Sequence, residues 1–153
     1  MSHTEAEKDF KEAIKLYHNH FVAEALDMMK KALEEEPGNP VYLSHLGVLM
    51  AQAKKNYKMA EKLCSQAIKK KHNDAELHLN LANVYVEAGR FDDAVHALEL
   101  GLKYTKQDKR LKQRLKQLGD RRPPIISFLG RGNFLNVQLG KLRHSIMQAL
   151  DHD

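Results

Sequence analysis

The residue types that could carry covalent or metal chemistry in this sequence are one cysteine and nine histidines. Cys64 would need exposure and a lowered pKa to act as a nucleophile. It falls instead at an apolar position of a helical pattern, which predicts a buried thiol. His18 and His20 are two residues apart and would point to different sides of a helix, so their spacing predicts no zinc site. Because no phosphate-binding loop or Ser/His/Asp grouping is present, we predict a protein that is not an enzyme and has no cofactor.

Three copies of one nine-residue pattern indicate the elements that must position any functional residue. The copies begin at Ala25, Ala60 and Ala94, at offsets of 35 and 34 residues. In full they are Ala25-x3-Met29-x2-Ala32-Leu33, Ala60-x3-Cys64-x2-Ala67-Ile68 and Ala94-x3-Leu98-x2-Gly101-Leu102. A fixed period of this length is typical of a solenoid, in which each unit buries its apolar face only against its neighbours.

A second pattern precedes each copy and carries a resemblance to a known family. The three segments are Phe10-x2-Ala13-Ile14-x2-Tyr17, Leu43-x2-Leu46-Gly47-x2-Met50 and His78-x2-Leu81-Ala82-x2-Tyr85. Together with the first pattern they resemble the tetratricopeptide repeat over residues 5–104. The resemblance implies an all-α fold, a right-handed α-solenoid of three helix-turn-helix repeats. Small residues such as Gly47 and Ala82 are expected where the two helices of a repeat cross.

Capping residues mark the expected helix boundaries. The start signals are Thr4 with Glu7, Asn39 with Pro40, and either Asn73 or Asp74, which satisfy or remove free backbone N–H groups. Gly89 and Asn56 are expected to take the left-handed conformation between the two helices of their repeats. The sequence therefore predicts helices near 5–18, 22–35, 40–53, 57–70, 74–87 and 91–104.

Length and composition fit one globular domain in a reducing compartment. A chain of 153 residues with 42% hydrophobic and 29% charged residues is ordinary for a helical domain. A single cysteine cannot form a disulfide within the chain, which suits the cytoplasm. No run approaches the ~18 apolar residues of a membrane span, and the N-terminus has no basic-then-apolar signal pattern. We therefore predict a cytoplasmic protein without a membrane span.

The resemblance implies that the first helices of the repeats line a concave groove that binds a protein or peptide partner. The residues that it assigns to ligand binding are Lys8, Lys11 and Lys15 in the first repeat, Ser44, Val48 and Ala51 in the second, and Leu79, Asn83 and Val86 in the third. Such a groove would be basic at one end, apolar in the middle and acidic at the other, through Glu76 and Glu87. This polarity favours a ligand with an apolar strip and an acidic portion near the first repeat. The alternative is that the three lysines are simply a solvated helix face.

Some tetratricopeptide repeats hold the acidic tails of chaperones with a clamp of Lys, Asn and Arg side chains. The matching positions here carry Lys11, Lys15, His45, Glu76 and Asn80, and only Lys11 has the expected type. Glu76 would repel a carboxylate. We therefore expect a peptide or helix of a partner protein in the groove, but no chaperone-tail clamp.

Positive charge is concentrated after the repeats. Residues 1–102 carry 13 Lys/Arg and 16 Asp/Glu, whereas residues 103–153 carry 12 and 4. Asp108 can begin a capping helix that Gly119 ends. Its inner side would carry Leu111, Leu115 and Leu118, and its outer side Lys109, Arg110, Lys112, Arg114 and Lys116. The alternative function is therefore an adaptor for nucleic acid or an anionic surface, although nucleic acid is not the expected partner because no aromatic residues interleave with the charges.

The end of the sequence predicts a linker and one more helix. We expect the solenoid with its capping helix at 5–118, a Pro- and Gly-containing linker at 119–132, and an amphipathic helix at 133–150. The apolar residues of that helix are Leu135, Leu139, Leu142, Ile146 and Leu150. Burying each is worth about 1.5–3 kcal/mol, so we expect the helix to dock, either on the repeats or in a homodimer. The segment also resembles C-terminal extensions of bacterial repeat proteins, which implies a bacterial source.

Overall fold

The computed structural model describes residues 4–121 and 138–142. Seven helices follow one another in the first range: α1 Glu5–His18, α2 Val22–Glu35, α3 Pro40–Lys54, α4 Tyr57–Lys70, α5 Ala75–Glu87, α6 Phe91–Tyr104 and α7 Lys109–Arg121. Residues 138–142 are also helical, and neither range contains a strand. Each predicted bound of α1 to α6 agrees with the structure to within one residue. No helix in these two ranges is long and apolar enough to cross a membrane.

The first six helices form three antiparallel pairs that stack in sequence order. α1 packs on α2, α3 on α4, and α5 on α6, while α2 contacts α3 and α4 contacts α5, which joins each pair to the next. This arrangement confirms the predicted right-handed α-solenoid of three helix-turn-helix repeats. Each pair has an apolar face that only its neighbours cover, so the stack is stable as a unit.

Side-chain caps begin the helices where the sequence predicts them. Thr4 accepts a hydrogen bond from a first-turn N–H of α1 at 3.2 Å, and Asn39 accepts two from α3 at 3.0 and 3.3 Å. Asp74, rather than Asn73, caps α5 at 3.1 Å. Asp108 caps α7 at 2.8 Å. These bonds satisfy backbone N–H groups that have no partner inside the helix.

The turn inside the second repeat differs from the prediction. Lys55, not Asn56, takes the left-handed conformation, with φ 51°, whereas Asn56 has φ −87°. The side chain of Asn56 caps α4 instead, accepting from the Met59 N–H at 3.2 Å. An N-cap residue needs a backbone conformation that directs its side chain into the first turn of the helix. The left-handed conformation is therefore taken by the preceding residue, Lys55. In the third repeat Gly89, with φ 75°, confirms the prediction.

Small residues bring the two helices of each repeat close together. The alanines at the predicted crossings are fully buried: Ala25, Ala60, Ala82 and Ala94. At Gly47 a Cβ would lie 2.7 Å from the Cys64 Sγ and 2.9 Å from the carbonyl oxygen of Ala60. Only glycine therefore fits between α3 and α4 at this crossing.

The beginning of α7, up to Leu115, packs on the last repeat, as a capping helix should. Leu111 is fully buried, and its Cδ1 lies 3.0 Å from where a Cβ on Gly101 of α6 would stand. Leu118 is buried as well. The prediction that Gly119 ends the helix is wrong, because α7 continues to Arg121. Gly119 does not adopt a positive φ, so the left-handed cap that would end the helix does not form there.

The chain forms two compact units, one that ends at Leu115 and one that begins at Lys116. The predicted linker, 119–132, starts inside α7, since α7 extends to Arg121. In the predicted helix at 133–150, Leu139 is half-buried and Leu142 is 56% exposed. Leu135, Ile146 and Leu150 lie outside the described residues, so the docking of this helix stays a prediction.

Candidate functional site

Polar contacts between repeats join the first helices, α1, α3 and α5, along one face. Gln52 donates to the Tyr17 hydroxyl at 3.1 Å, His45 Nε2 lies 2.6 Å from Glu76 Oε1, and Asn80 donates to the Ser44 hydroxyl at 2.9 Å. The residues in these three pairs are 31 to 36 positions apart in sequence. The pairs therefore set how one repeat sits on the next. We name the face of α1, α3 and α5 that carries the sequence-predicted ligand residues the groove.

The lysines that the sequence assigns to the first repeat's part of the groove lie on the surface of α1, and their role in binding stays a prediction. Lys8, Lys11 and Lys15 are all exposed on α1. Each forms an ion pair within the helix, with Glu5 at 3.0 Å, Glu7 at 2.8 Å and Glu12 at 3.4 Å respectively. Exposed pairs of this kind contribute about 0–1 kcal/mol. The ammonium groups can therefore exchange these partners for a carboxylate of a ligand at little cost in stability.

The second repeat contributes less surface than the sequence predicts. Ser44 and Ala51 are 0% and 1% exposed, and Val48 is 5% exposed. The Ser44 hydroxyl donates to the Val41 carbonyl oxygen at 2.9 Å and accepts from Asn80, so its hydrogen-bonding capacity is used inside the fold. Val48 lines a small pocket between α1 and α3. Their assignment to ligand binding stays a prediction, and the burial of Ser44 and Ala51 weighs against direct contact.

The third repeat combines apolar surface with charges that are already paired. Leu79, Asn83 and Val86 are half-buried on α5. The two carboxylates beside them are engaged by side chains of the second repeat, Glu76 by a hydrogen bond with His45 and Glu87 by an ion pair with Lys55, each at 2.6 Å. This end of the groove is therefore less acidic than the sequence suggests.

The prediction that Arg114 lies on a solvated outer side of α7 is wrong. It is half-buried, and its guanidinium donates to the Asn83 side-chain oxygen on α5 at 2.9 Å. Arg110 is exposed but is held by Asp108, with a hydrogen bond and ion pair at 3.1 Å. Two of the five basic residues assigned to the outer face are thus engaged by the solenoid itself.

The repeats match one family across most of the described chain. The family model whose description is Tetratricopeptide repeat matches residues 22–78 and 51–118. The chain belongs to the tetratricopeptide repeat family. No curated protein sequence matches it.

Solved tetratricopeptide repeat domains share this fold at low sequence identity. The first such domain of Spaghetti (RPAP3), bound to the HSP90 peptide SRMEEVD, has a TM-score of 0.62 and 16% identity, covering 76% of this chain and 94% of that chain. The Sgt2 domain from Aspergillus fumigatus has a TM-score of 0.64 and 19% identity, covering 78% of this chain and 80% of that chain. The TPR2B domain of yeast Sti1, in its complex with pHsp70, has a TM-score of 0.62 and 14% identity, covering 77% of this chain and 98% of that chain. These similarities show the fold.

Cys64 has a packing role in this tetratricopeptide repeat chain. It is fully buried, and its thiol donates to the Ser44 carbonyl oxygen at 3.4 Å. Burial, with a smaller effect of Glu61, raises the pKa of Cys64 to about 12. The thiolate is the nucleophilic form of cysteine, so the thiol is unreactive at neutral pH. The prediction of a buried thiol is confirmed.

Two histidines have structural roles that explain their positions. His78 is fully buried, and its Nε2 donates to the carbonyl oxygen of His72 at 2.8 Å. His45 is committed to Glu76, as described above. In residues 4–121 and 138–142, no group of three or more His, Cys, Asp or Glu side chains is placed to hold a metal ion.

Replacing Glu76 with Gln is expected to destabilise the protein at neutral pH but not in acid. The hydrogen bond with His45 is the main cause that lowers the pKa of Glu76 from its usual 4.5. A lowered folded-state pKa means that the carboxylate stabilises the fold above the unfolded-state pKa, and that this stabilisation is lost as the pH falls through the folded value. The difference in Tm between wild type and Glu76→Gln, followed by circular dichroism, should therefore shrink toward zero as the pH is lowered below about 4.

The matched control for this titration is Glu24→Gln on α2, which removes an exposed carboxylate. Its Tm should change less than that of Glu76→Gln at neutral pH, because the variant loses only a helix-dipole contribution of about 0.3–1 kcal/mol in the first turn of α2. A Glu76→Gln difference that is the same at neutral and acid pH would show that the hydrogen bond between the Glu76 carboxylate and His45 does not stabilise the stack of repeats.

Proposed function

We propose that this chain is a protein-interaction scaffold whose groove binds a peptide or a helix of a partner protein. The observation that carries the proposal is the apolar surface of α5. Leu79 and Val86 are seven residues apart, so they lie on one side of the helix, and both stay partly exposed. The polar groups around them, Glu76, Asn83 and Glu87, already have partners. What this part of the groove offers a ligand is therefore mainly apolar contact.

The ligand is proposed to have an acidic portion at the first repeat. Lys8, Lys11 and Lys15 present exposed ammonium groups at that end of the groove. Their pairs with glutamates of the same helix are solvent-exposed and weak. Charge complementarity at this end would set the orientation of a bound peptide more than it would add affinity.

Chaperone tails are not the proposed ligand, although relatives of this fold are known in complex with an HSP90 peptide and with pHsp70. Of the residues at the clamp positions, His45 is bonded to Glu76, and Asn80 is bonded to Ser44. A carboxylate placed there would have to displace these internal bonds and would face the Glu76 charge. We propose a ligand with an apolar strip instead.

The alternative function, an adaptor for nucleic acid or anionic surfaces, has lost part of its basis. Arg110 and Arg114 bond within the chain, so of the five basic residues assigned to the outer side of α7 only Lys109, Lys112 and Lys116 are exposed without such a bond. We therefore do not propose it, nor do we propose catalysis. We propose the cytoplasm as the location of the protein, on the basis of its single, buried cysteine.

Peptides selected on the purified protein from a random library are expected to combine apolar with acidic residues. Their affinity should fall at least about tenfold on Val86→Arg, because a charge would then enter the apolar contact, and by a smaller factor on Lys11→Glu. Isothermal titration calorimetry would measure both, with Tm as a check on folding. The control is Glu24→Arg on the exposed face of α2, which should bind as wild type does. Selected peptides that bind Val86→Arg unchanged would contradict a groove site.

A further inference from the structure

The outward side of α4 carries a straight row of exposed lysines. Lys58, Lys62 and Lys69 stand at i, i+4 and i+11, which places them within about 40° of one another around the helix axis. The opposite side of the helix is its buried stripe, made of Ala60, Cys64 and Ala67. We name Lys58, Lys62 and Lys69 the lysine stripe. From end to end it measures about 17 Å along the helix.

The fold does not require lysine at these positions. The equivalent residues of the other two repeats are Ala23, Asp27 and Glu34 in α2, and Asp92, His96 and Lys103 in α6. All three helices occupy the same place in their repeats, so a solvated face can be neutral, acidic or mixed there. The uniform positive charge is a property of the second repeat alone.

The first two lysines of the stripe are unfavourable for α4, whereas Lys69 lies in its last turn, where a cation is favoured. Lys58 stands in the first turn, where the positive end of the helix dipole disfavours a cation, and α4 has no acidic residue in that turn, unlike α1, α2, α5 and α6. Lys58 and Lys62 are like charges at i, i+4.

Nothing in the described part of the chain forms an ion pair with the stripe. The only carboxylate of α4, Glu61, is held by Arg90 at 2.6 Å and accepts from the Tyr85 hydroxyl at 2.9 Å. Lysines that weaken the start of their own helix and have no ion-pair partner among residues 4–121 and 138–142 are the local inconsistency expected at a binding surface.

We propose that the lysine stripe binds an acidic segment of a partner protein that lies along α4. The flanking charges limit the width of the ligand, because Asp27 and Glu34 stand at the matching positions of α2, and Asp92 at that of α6. The uniformly positive surface is therefore only one helix wide, which favours a single polypeptide over a bilayer or duplex nucleic acid. Helix positions 11 residues apart on such a segment would match the 17 Å span estimated from the helical rise.

The probe for the test is a fluorescent Ala/Glu helical peptide of about 20 residues with glutamates at i, i+4 and i+11. Anisotropy should show binding to the full-length wild-type protein that weakens with salt. The triple variant Lys58→Glu/Lys62→Glu/Lys69→Glu should lose at least about tenfold in affinity. Its Tm is measured alongside as a check on folding, because the gain from an acid at position 58 is opposed by the cost of an acid in the last turn at position 69.

The matched control is Lys30→Glu/Lys31→Glu/Lys103→Glu, which changes the net charge equally but alters α2 and α6. It should change the affinity less than about threefold. Equal losses in the two triple variants, or no binding by wild type, would overturn the proposal. So would stripe-dependent binding of duplex DNA or phosphatidylserine vesicles that matches or exceeds peptide binding. The groove variant Val86→Arg should leave this binding unchanged, which separates the stripe from the groove.

Discussion

Replacing Gly47 with Ala is expected to destabilise the protein by about 1–3 kcal/mol, even though alanine is the better helix former by about 1 kcal/mol. The new Cβ would lie 2.7 Å from the Cys64 Sγ and 2.9 Å from the Ala60 carbonyl oxygen. The sulfur is fully buried, and the carbonyl belongs to the backbone of α4. Neither atom can give way by rotating a side chain into solvent, so α3 and α4 must move apart along the whole middle repeat.

Urea unfolding followed by circular dichroism would measure this loss, and Gly119→Ala provides the control. Gly119 is also inside a helix, α7, but a Cβ there meets nothing within 4 Å. Only the helix propensity acts at that position, so we expect a gain of about 0.5–1 kcal/mol. Two shifts of the same sign would show that helix propensity, and not the close crossing, governs Gly47.

Replacing Leu111 with Ala is expected to cost about 2–5 kcal/mol, the range for a buried leucine that leaves a cavity. Leu111 is fully buried, and it packs above Gly101, where a Cβ would also touch His78 at 2.8 Å. The side chain therefore covers the end of the third repeat, after which no further repeat follows among the described residues. Its loss should loosen α5 and α6 first.

Hydrogen exchange would locate the effect, since amides of α5 and α6 should exchange faster in Leu111→Ala while those of α1 and α2 change less. The control is Lys112→Ala, one residue further along α7 and exposed, which should stay within about 0.5 kcal/mol of wild type. A cost below about 1 kcal/mol for Leu111→Ala would mean that the surroundings relax to fill the space, and that α7 contributes little to the stability of the solenoid.

The sequence by itself determined the helices, their pairing and the family. Those signals lie within a repeat or recur from one repeat to the next. Caps such as Thr4 and Asn39 act in the first turn of a helix, the small residues at the crossings act within one helix pair, and the 34- to 35-residue period identifies the repeat unit. The burial of Cys64 follows from the same periodicity. The predictions failed where one residue type suits two local conformations. Asn56 caps α4 instead of taking the left-handed conformation, and Gly119 continues α7 instead of ending it.

Only the tertiary structure decided which groove residues remain available to a ligand. Ser44 is occupied by Asn80, Glu76 by His45, and Arg114 reaches Asn83, in pairs that are 31 to 36 residues apart. Each of these bonds depends on the register in which one repeat stacks on another, and a hydrogen bond is lost when its atoms shift by about an ångström. Periodicity predicts which face a residue occupies, but the partner that meets it there is set by the stacked neighbour.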